Sequence, residues 1–282
     1  MNLKKTWWRH LFLLVVVAFA LLPIVFVVSA ALNPIGTLST AEVVPTGASL
    51  KNFAKLFSDP DHSFPRWFLN SVLIALSASF ASVLLSVMAA YAFSRMRFKG
   101  RRIGLLSLLL IQMFPQFLAI VTIYIIFTRV TELYPTFGFD HIWSVLLLYL
   151  GGALGVNTYL MKGFLDTIPK ELDESATVDG ASHAQIFWRI IMPLVAPILA
   201  VTVLLAFIST INEFLIANIF LREDHVKTLA VGMFGMLGND TREANFGAFA
   251  CATLITAVPT VGIFLWLQKF IISGLTMGAV KG

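Results

Sequence analysis

Apolar residues dominate six stretches of the chain, Leu11 to Leu32, Phe68 to Phe93, Leu105 to Phe127, Ile142 to Phe164, Leu194 to Ala217 and Phe246 to Gln268. Each is long enough to cross a bilayer, since a spanning helix needs about 20 mostly apolar residues. The first carries small residues, Ser29, Ala30 and Ala31, behind Lys4, Lys5 and Arg9, as a cleaved signal peptide would. Its apolar core is too long for that, and five more stretches follow, so it is read as an anchor. Lys and Arg in the short loops set the orientation. With both termini in the cytoplasm, 13 of the 20 basic residues lie inside: Lys4, Lys5, Arg9, Arg95, Arg97, Lys99, Arg101, Arg102, Lys162, Lys170, Arg189, Lys269 and Lys281. The expected fold is therefore an all-α membrane protein of six spans. Residues 1–10 form a cytoplasmic N-terminus, 165–193 a cytoplasmic segment, 218–245 an external loop and 269–282 a cytoplasmic tail.

The spans differ in character. In the second, Ala78, Ser82, Ser86, Ala90 and Ser94 recur every four residues, a stripe along which another helix can approach closely. Pro23, Pro115, Pro197 and Pro259 fall inside spans, where each removes a backbone donor and tends to kink the helix. Gly151 and Gly155 form a GxxxG pair, a weak packing signal. Asn212 with Glu213 places a carboxylate inside an apolar stretch, about one turn from its outer end; function, snorkelling and a structural hydrogen bond all fit it.

Composition narrows the function. Of 282 residues 58% are hydrophobic and 12% charged, and the mean hydropathy is +0.87, which makes a bilayer the solvent. The single cysteine, Cys251, excludes a disulfide framework, and the five histidines lack ligand spacing, so no metal site is expected. The net charge of +5 sits at the ends of apolar runs, which is membrane topology rather than a nucleic-acid surface. No GxxxxGK[ST] phosphate loop occurs, and no Ser/His, paired-Asp or metal constellation lies in the spans, so no catalytic residue is assigned.

Between the fourth and fifth stretches lies a polar segment too long for a connector. Pro169 suits the first turn of a helix, and Glu171, Asp173 and Glu174 follow where carboxylates favour the positive end of its dipole. Gly180 can adopt the left-handed conformation that ends a helix. Ser182 and Gln185 have capping-box spacing and open a second short helix, which Pro193 closes ahead of the fifth span. A helix-bend-helix of this kind suits a rigid knob for another protein. An amphipathic loop lying on the membrane is also compatible, through Ile186, Phe187, Ile190 and Ile191.

The run Glu174, Ser175 and Ala176, then Asp179, Gly180 and Ala181, and later Ile191, Met192 and Pro193, resembles the EAA motif of bacterial ABC importer permeases. Ser175 replaces an alanine and Met192 a leucine, while glutamate, glycine and proline keep their spacing. The resemblance covers essentially the whole chain and is closest to the MalG-type maltose/maltodextrin permeases. It runs through NSV at Asn70 to Val72, AYAFSRMRFKG at Ala90 to Gly100, QMFPQFLA at Gln112 to Ala119, TLAVGMFGML at Thr228 to Leu237 and the terminal SGLTMGAVKG.

That resemblance implies a type I ABC importer core in the bacterial inner membrane, non-catalytic itself. Its partners would be a second, MalF-like permease, two copies of a MalK-like ATP-binding subunit that holds ATP and Mg, an extracytoplasmic sugar-binding protein, and membrane lipid. It implies no cofactor in this chain. The EAA segment would be a coupling helix docking in the ATPase, with Glu174, Ser175, Ala176, Asp179, Gly180, Ala181, His183 and Gln185 as the contact set. Gly278, Lys281 and Gly282 would form a second ATPase contact, although composition alone reads them as a frayed end. Phe234, Gly235, Met236, Gly238 and Asn239 would belong to a scoop that enters the binding protein's sugar cleft. From pattern alone the same loop is a mobile surface, its glycines 232, 235 and 238 making it adaptable. A malto-oligosaccharide is the implied cargo, with trehalose and galactose-containing oligosaccharides as alternatives, and most sugar contacts would fall on the partner permease. A self-sufficient secondary transporter or channel would instead show inverted repeats, broken helices and several midplane ionisable groups. The sequence carries neither a clear repeat nor a ladder of charges.

Overall fold

The computed structural model describes residues 3–42, 44, 47–59, 63–238 and 242–279. Among these residues there are helices, turns and loops, and no strand. The α-helices in chain order are α1 (Leu3–Leu32), α2 (Lys51–Ser58), α3 (Phe64–Arg95), α4 (Arg101–Gln112), α5 (Gln116–Leu133), α6 (Ile142–Gly151) and α7 (Val156–Asp166). They continue with α8 (Glu171–Val178), α9 (His183–Ile186), α10 (Met192–Ile211), α11 (Leu215–Phe220), α12 (Leu229–Met236) and α13 (Arg242–Ala279).

Two compact units are present. The first comprises Met1–Phe68 with Leu229–Pro259. Its core gathers Leu56, Phe64, Trp67, Leu229, Met236 and Cys251, all but buried. Asn52 ties the turn after α1 in place, its amide donating to the carbonyls of Ala31 at 3.0 Å and Asn33 at 2.8 Å. Gly232 packs under the Trp67 ring with no room for a Cβ, and with Gly235 it lies in α12. The glycines expected to make a mobile loop are, at these two positions, helical. A Cβ-free surface allows a helix as near to an indole as a loop would be, so spacing alone could not separate the two.

The second unit comprises Leu69–Thr228 with Thr260–Gly282. Among the described residues four continuous helices are long and apolar enough to cross a membrane, over residues 7–32, 64–95, 183–211 and 245–270. The fourth expected span is instead a bent pair, α6 and α7, turned by 54°. The third is interrupted between α4 and α5 at Met113 to Pro115, where proline lacks the donor and forces its predecessor out of helical geometry. Pro23, Pro197 and Pro259, by contrast, lie inside continuous helices.

The break between α6 and α7 falls on Gly152 to Gly155, so Gly151 ends one helix and Gly155 precedes the next, and the pair does not share a helix face. Gln112, the last residue of α4, stitches it: its Oε1 accepts from the Val156 N–H at 2.9 Å and its Nε2 donates to the Leu154 carbonyl at 3.2 Å. The small-residue stripe of α3 packs against protein, as expected. Ala78, Ser86, Ala90 and Ser94 are buried, and Ser86 donates to the Ala153 carbonyl at 2.7 Å within the same break. A Cβ on Gly155 would overlap the Gln112 amide. Gly155→Ala is therefore expected to cost about 1–3 kcal/mol through overpacking and loss of the stitch. Thermal unfolding in detergent, compared with Gly151→Ala where a Cβ meets open space, checks this.

Candidate functional site

Helix α8 ends where Gly180 takes φ +84°. The Ala181 N–H donates to the Ala176 carbonyl at 2.9 Å and the Gly180 N–H to the Thr177 carbonyl at 3.0 Å, the paired bonds of a Schellman C-cap. Two residues later Ser182 and Gln185 close the capping box in both directions: Oγ of Ser182 accepts from the Gln185 N–H at 3.3 Å, and Oε1 of Gln185 accepts from the Ser182 N–H at 2.8 Å. The bend between α8 and α9 is thus fixed by four short-range hydrogen bonds.

What lies beneath the bend decides between knob and surface loop. Ile186, Phe187 and Ile191 are buried in a cluster with Val87, Tyr91, Met161 and Leu165, and Tyr91 meets Phe187 edge-on at 5.1 Å. Burial of each such side chain is worth roughly 1.5–3 kcal/mol, well above the ~0.3–1 kcal/mol that a charge gains at a helix end. The segment is seated on protein through these apolar residues. Its outer side is different: Val178 is 88% exposed and Leu172 43% exposed.

Pro193 does not separate α9 from the fifth span. Residues 183–211 form one continuous helix, which widens to a π turn over Phe187–Ile191 just ahead of the proline. A proline has no N–H for the preceding turn and its ring crowds a carbonyl there; a widened turn relieves both.

The end of α3 and the start of α8 are joined by an ion pair that sequence spacing could not reveal. Arg95 Nε lies 2.7 Å from Asp173 Oδ2, with the two side chains 5% and 16% exposed, and Arg95 also donates to the Ile168 carbonyl at 2.8 Å. Nearby, Ser94 donates to Asp166 at 2.6 Å. Burial raises the Asp173 carboxyl above the usual carboxylate range, against the pull of Arg95 and His183 and with a smaller push from Glu174. A raised carboxylate disfavours the charged form, so what it contributes to stability is present at low pH and declines as pH climbs through its titration. Glu174, Thr177 and His183 share a cleft of about 380 Å³ with Arg95, Arg97 and Arg101. Glu174, Ser175, Asp179, His183 and Gln185 are exposed, while Ala176 and Ala181 pack inward.

The remaining expected residues belong to other stretches of the chain. Phe234, Gly235 and Met236 lie on α12, Phe234 exposed and Met236 buried; Gly238 follows, and Asn239 lies outside the described residues. Gly278 is in the last turn of α13, whose helix runs on into the expected tail, and Lys281 and Gly282 lie outside the described residues. Glu213 has a structural role: it accepts from the N–H groups of Ile216 at 2.9 Å and Ala217 at 3.1 Å at the start of α11, and from the Tyr149 hydroxyl at 2.6 Å. Asn212 donates to the Ile208 carbonyl at 2.7 Å. Tyr149, on α6, was not singled out by sequence, because a lone tyrosine in an apolar run has no periodic signature.

Residues 82–276 match the family of binding-protein-dependent transport system inner membrane components. That match takes in the α8–α9 segment and most of the chain. The chain belongs to this family. Among relatives, the galactooligosaccharides transport system permease protein GanQ of Bacillus subtilis is 37% identical over 92% of this chain and 90% of its own length. The maltose/maltodextrin transport system permease protein MalG of Escherichia coli is 36% identical over 97% of this chain and 95% of its own. The maltodextrin permease protein MdxG of Bacillus subtilis is 34% identical over 97% and 95%. A crystal structure of a bacterial ABC transporter involved in import of the acidic polysaccharide alginate shares the fold, with a TM-score of 0.76 at 21% identity over 95% of this chain and 97% of that one.

The permease is thus a membrane component of a binding-protein-dependent ABC importer. The broken spans that a secondary transporter would also show are in this case features of an ABC permease. Arg95→Ala is expected to destabilise the permease by about 3 kcal/mol, because it strands a largely buried carboxylate. Arg129→Ala, which breaks a pair with side chains 77% and 55% exposed, is expected to change stability by less than about 0.5 kcal/mol. Denaturation midpoints of the two variants in the same detergent test the contrast.

Proposed function

We propose that this permease imports oligosaccharides, with a malto-oligosaccharide as its cargo, and that the α8–α9 bend is its docking point for an ATP-hydrolysing subunit. The observation that carries the docking reading is the bend itself, rigid through its caps, anchored by Ile186, Phe187 and Ile191, and exposing Val178 on its outer side. Six spans with both termini in the cytoplasm put this bend on the side where ATP is available, provided α4–α5 and α6–α7 each count as one interrupted span.

The lever is short. Because residues 183–211 are one helix, roughly 43 Å long at 1.5 Å per residue, a push on the bend is delivered along α10 without an intervening hinge loop. Closure of two MalK-like subunits around ATP and Mg would then tip this permease and a MalF-like partner between inward-facing and outward-facing states, a population shift driven by differential binding. On the outer face, Phe234 and Gly235 with Gly238 and Asn239 form the scoop that meets the sugar-binding protein, and Met236 anchors it from below. Gly278, Lys281 and Gly282 form a second contact with the motor.

A galactose-containing oligosaccharide is the second reading for the cargo, favoured by the 37% identity to GanQ. In proteoliposomes containing this permease, a partner permease and an ATPase, a binding protein loaded with sugar is expected to raise ATP hydrolysis, and labelled sugar to accumulate. Glu174→Ala and Gly180→Val are expected to lower the stimulated rate about tenfold, a coupling loss of ~1.4 kcal/mol, while the permease still inserts. Full stimulation and uptake in both variants would remove the docking assignment; uptake of galacto- but not malto-oligosaccharide would exchange the cargo.

A further inference from the structure

The second unit holds two cavities of similar size on different faces of α10. One, about 430 Å³, is lined by apolar side chains, among them Phe80, Leu84, Trp188, Leu199 and Trp266. The other, about 420 Å³, has a mixed lining of Ser82, Tyr149, Asn157, Thr202, Ser209 and Thr210 with Leu160, Leu205 and Ala206, beside the broken backbone at Gly152 and Ala153. On α10 the residues facing it, Thr202, Leu205, Ala206, Ser209 and Thr210, follow helical spacing, so three hydroxyls and two apolar side chains share one face. Hydroxyls and amides placed in a spanning helix are expensive unless they bond to a carbonyl of the preceding turn, to another protein group, or to water or a polar solute. Interrupted backbone at membrane depth likewise belongs beside a cavity.

We infer that this polar cavity is a subsite for a neutral oligosaccharide on this subunit, an inference that rests on the proposed sugar-import function. The lining offers the chemistry that recognises a sugar. Ser82 and Thr202 donate back to the carbonyls of Ser79 at 3.1 Å and Ile198 at 2.9 Å, which leaves their oxygens as acceptors. Asn157, Ser209 and Thr210 have no side-chain hydrogen bond to protein among the described residues and can both donate and accept. Tyr149 contributes an aromatic face held in place through its hydroxyl, which donates to Glu213 at 2.6 Å. Glu213 is a positioning residue, its carboxylate already engaged by the Ile216 and Ala217 N–H groups.

Charge defines the ligand class. Among the described residues no Lys, Arg or His lines the cavity, so a uronic-acid chain would enter without a counter-charge there, whereas a neutral sugar ring needs none. The volume lies in the lower part of the roughly 300–1,000 Å³ typical of small-molecule sites, room for a short stretch of oligosaccharide rather than a polymer. The family resemblance assigns most sugar contacts to the partner permease; this cavity adds a second wall to the path.

The test uses the complete transporter in proteoliposomes with its binding protein and ATP. Maltotriose and a galactotriose, each bearing a photoactivatable diazirine, are delivered in parallel, the complex is arrested with vanadate, and adducts are mapped after irradiation. Adducts in peptides containing Tyr149 to Asn157 and Thr202 to Thr210, competed by unmodified sugar, are expected. Asn157→Ala is expected to lower both adduct yield and sugar imported per ATP about tenfold, the loss that follows when a site built to hydrogen-bond a hydroxyl loses its partner. Import of an analogue with adducts confined to other subunits, or to the apolar cavity around Trp188, overturns the subsite while leaving the sugar-import function intact. Import of neither analogue overturns the proposed cargo class and the subsite together. Mapping on the unmodified chain decides the matter even where Asn157→Ala fails to assemble.

Discussion

A hydrocarbon core offers no hydrogen bonds, so wherever a spanning helix is interrupted the protein must satisfy the freed backbone from within. The break between α6 and α7 shows how closely the structure follows that constraint. Its exposed peptide groups are met by the Gln112 amide, which both donates and accepts, and by Ser86, which donates to Ala153. Gly155 is required because any side chain there would occupy the space of the Gln112 amide. The end of α10 obeys the same rule: Glu213 accepts from two N–H groups that open α11. Leaving such groups unmet costs on the order of 1–3 kcal/mol each, comparable to a large share of a protein's net stability.

Meeting the constraint also positions neighbouring side chains. The break aims backbone and Asn157 toward the polar cavity, and the Glu213 cap holds Tyr149 at its wall. At the other end of α10, the π turn lets Pro193 sit inside a helix that remains continuous with the bend. A conventional proline break at this point would have separated α9 from the span, whereas the widened turn keeps residues 183–211 one helix.

Local rules were legible in the sequence wherever the determining residues are close in the chain. Gly180 at a helix end, the Ser182–Gln185 capping box and the carboxylates opening α8 were all readable, because each acts within four residues. The small-residue stripe of α3 was readable for its period. What lay hidden depends on pairs far apart: Arg95 with Asp173, Gln112 with Val156, Tyr149 with Glu213. Periodicity also overstated continuity, since an apolar run of 23 residues looks the same whether helical throughout or broken, and Pro115 broke one where Pro197 did not. Proline position within the run does not distinguish these; the neighbours that take up the freed groups do.

The two cavities flanking α10 show why membrane depth and polarity must be weighed together. Ser and Thr also occur where spanning helices pack closely, so hydroxyls at Thr202, Ser209 and Thr210 would not by themselves mark a cavity. Here, together with Asn157 from α7, they surround space large enough for a solute. The apolar cavity lies beside the earlier part of α10, where Met192, Ala196, Leu199, Ala200 and Val203 line it. Along α10 the lining thus changes from wholly apolar residues to a mixture that includes three hydroxyls.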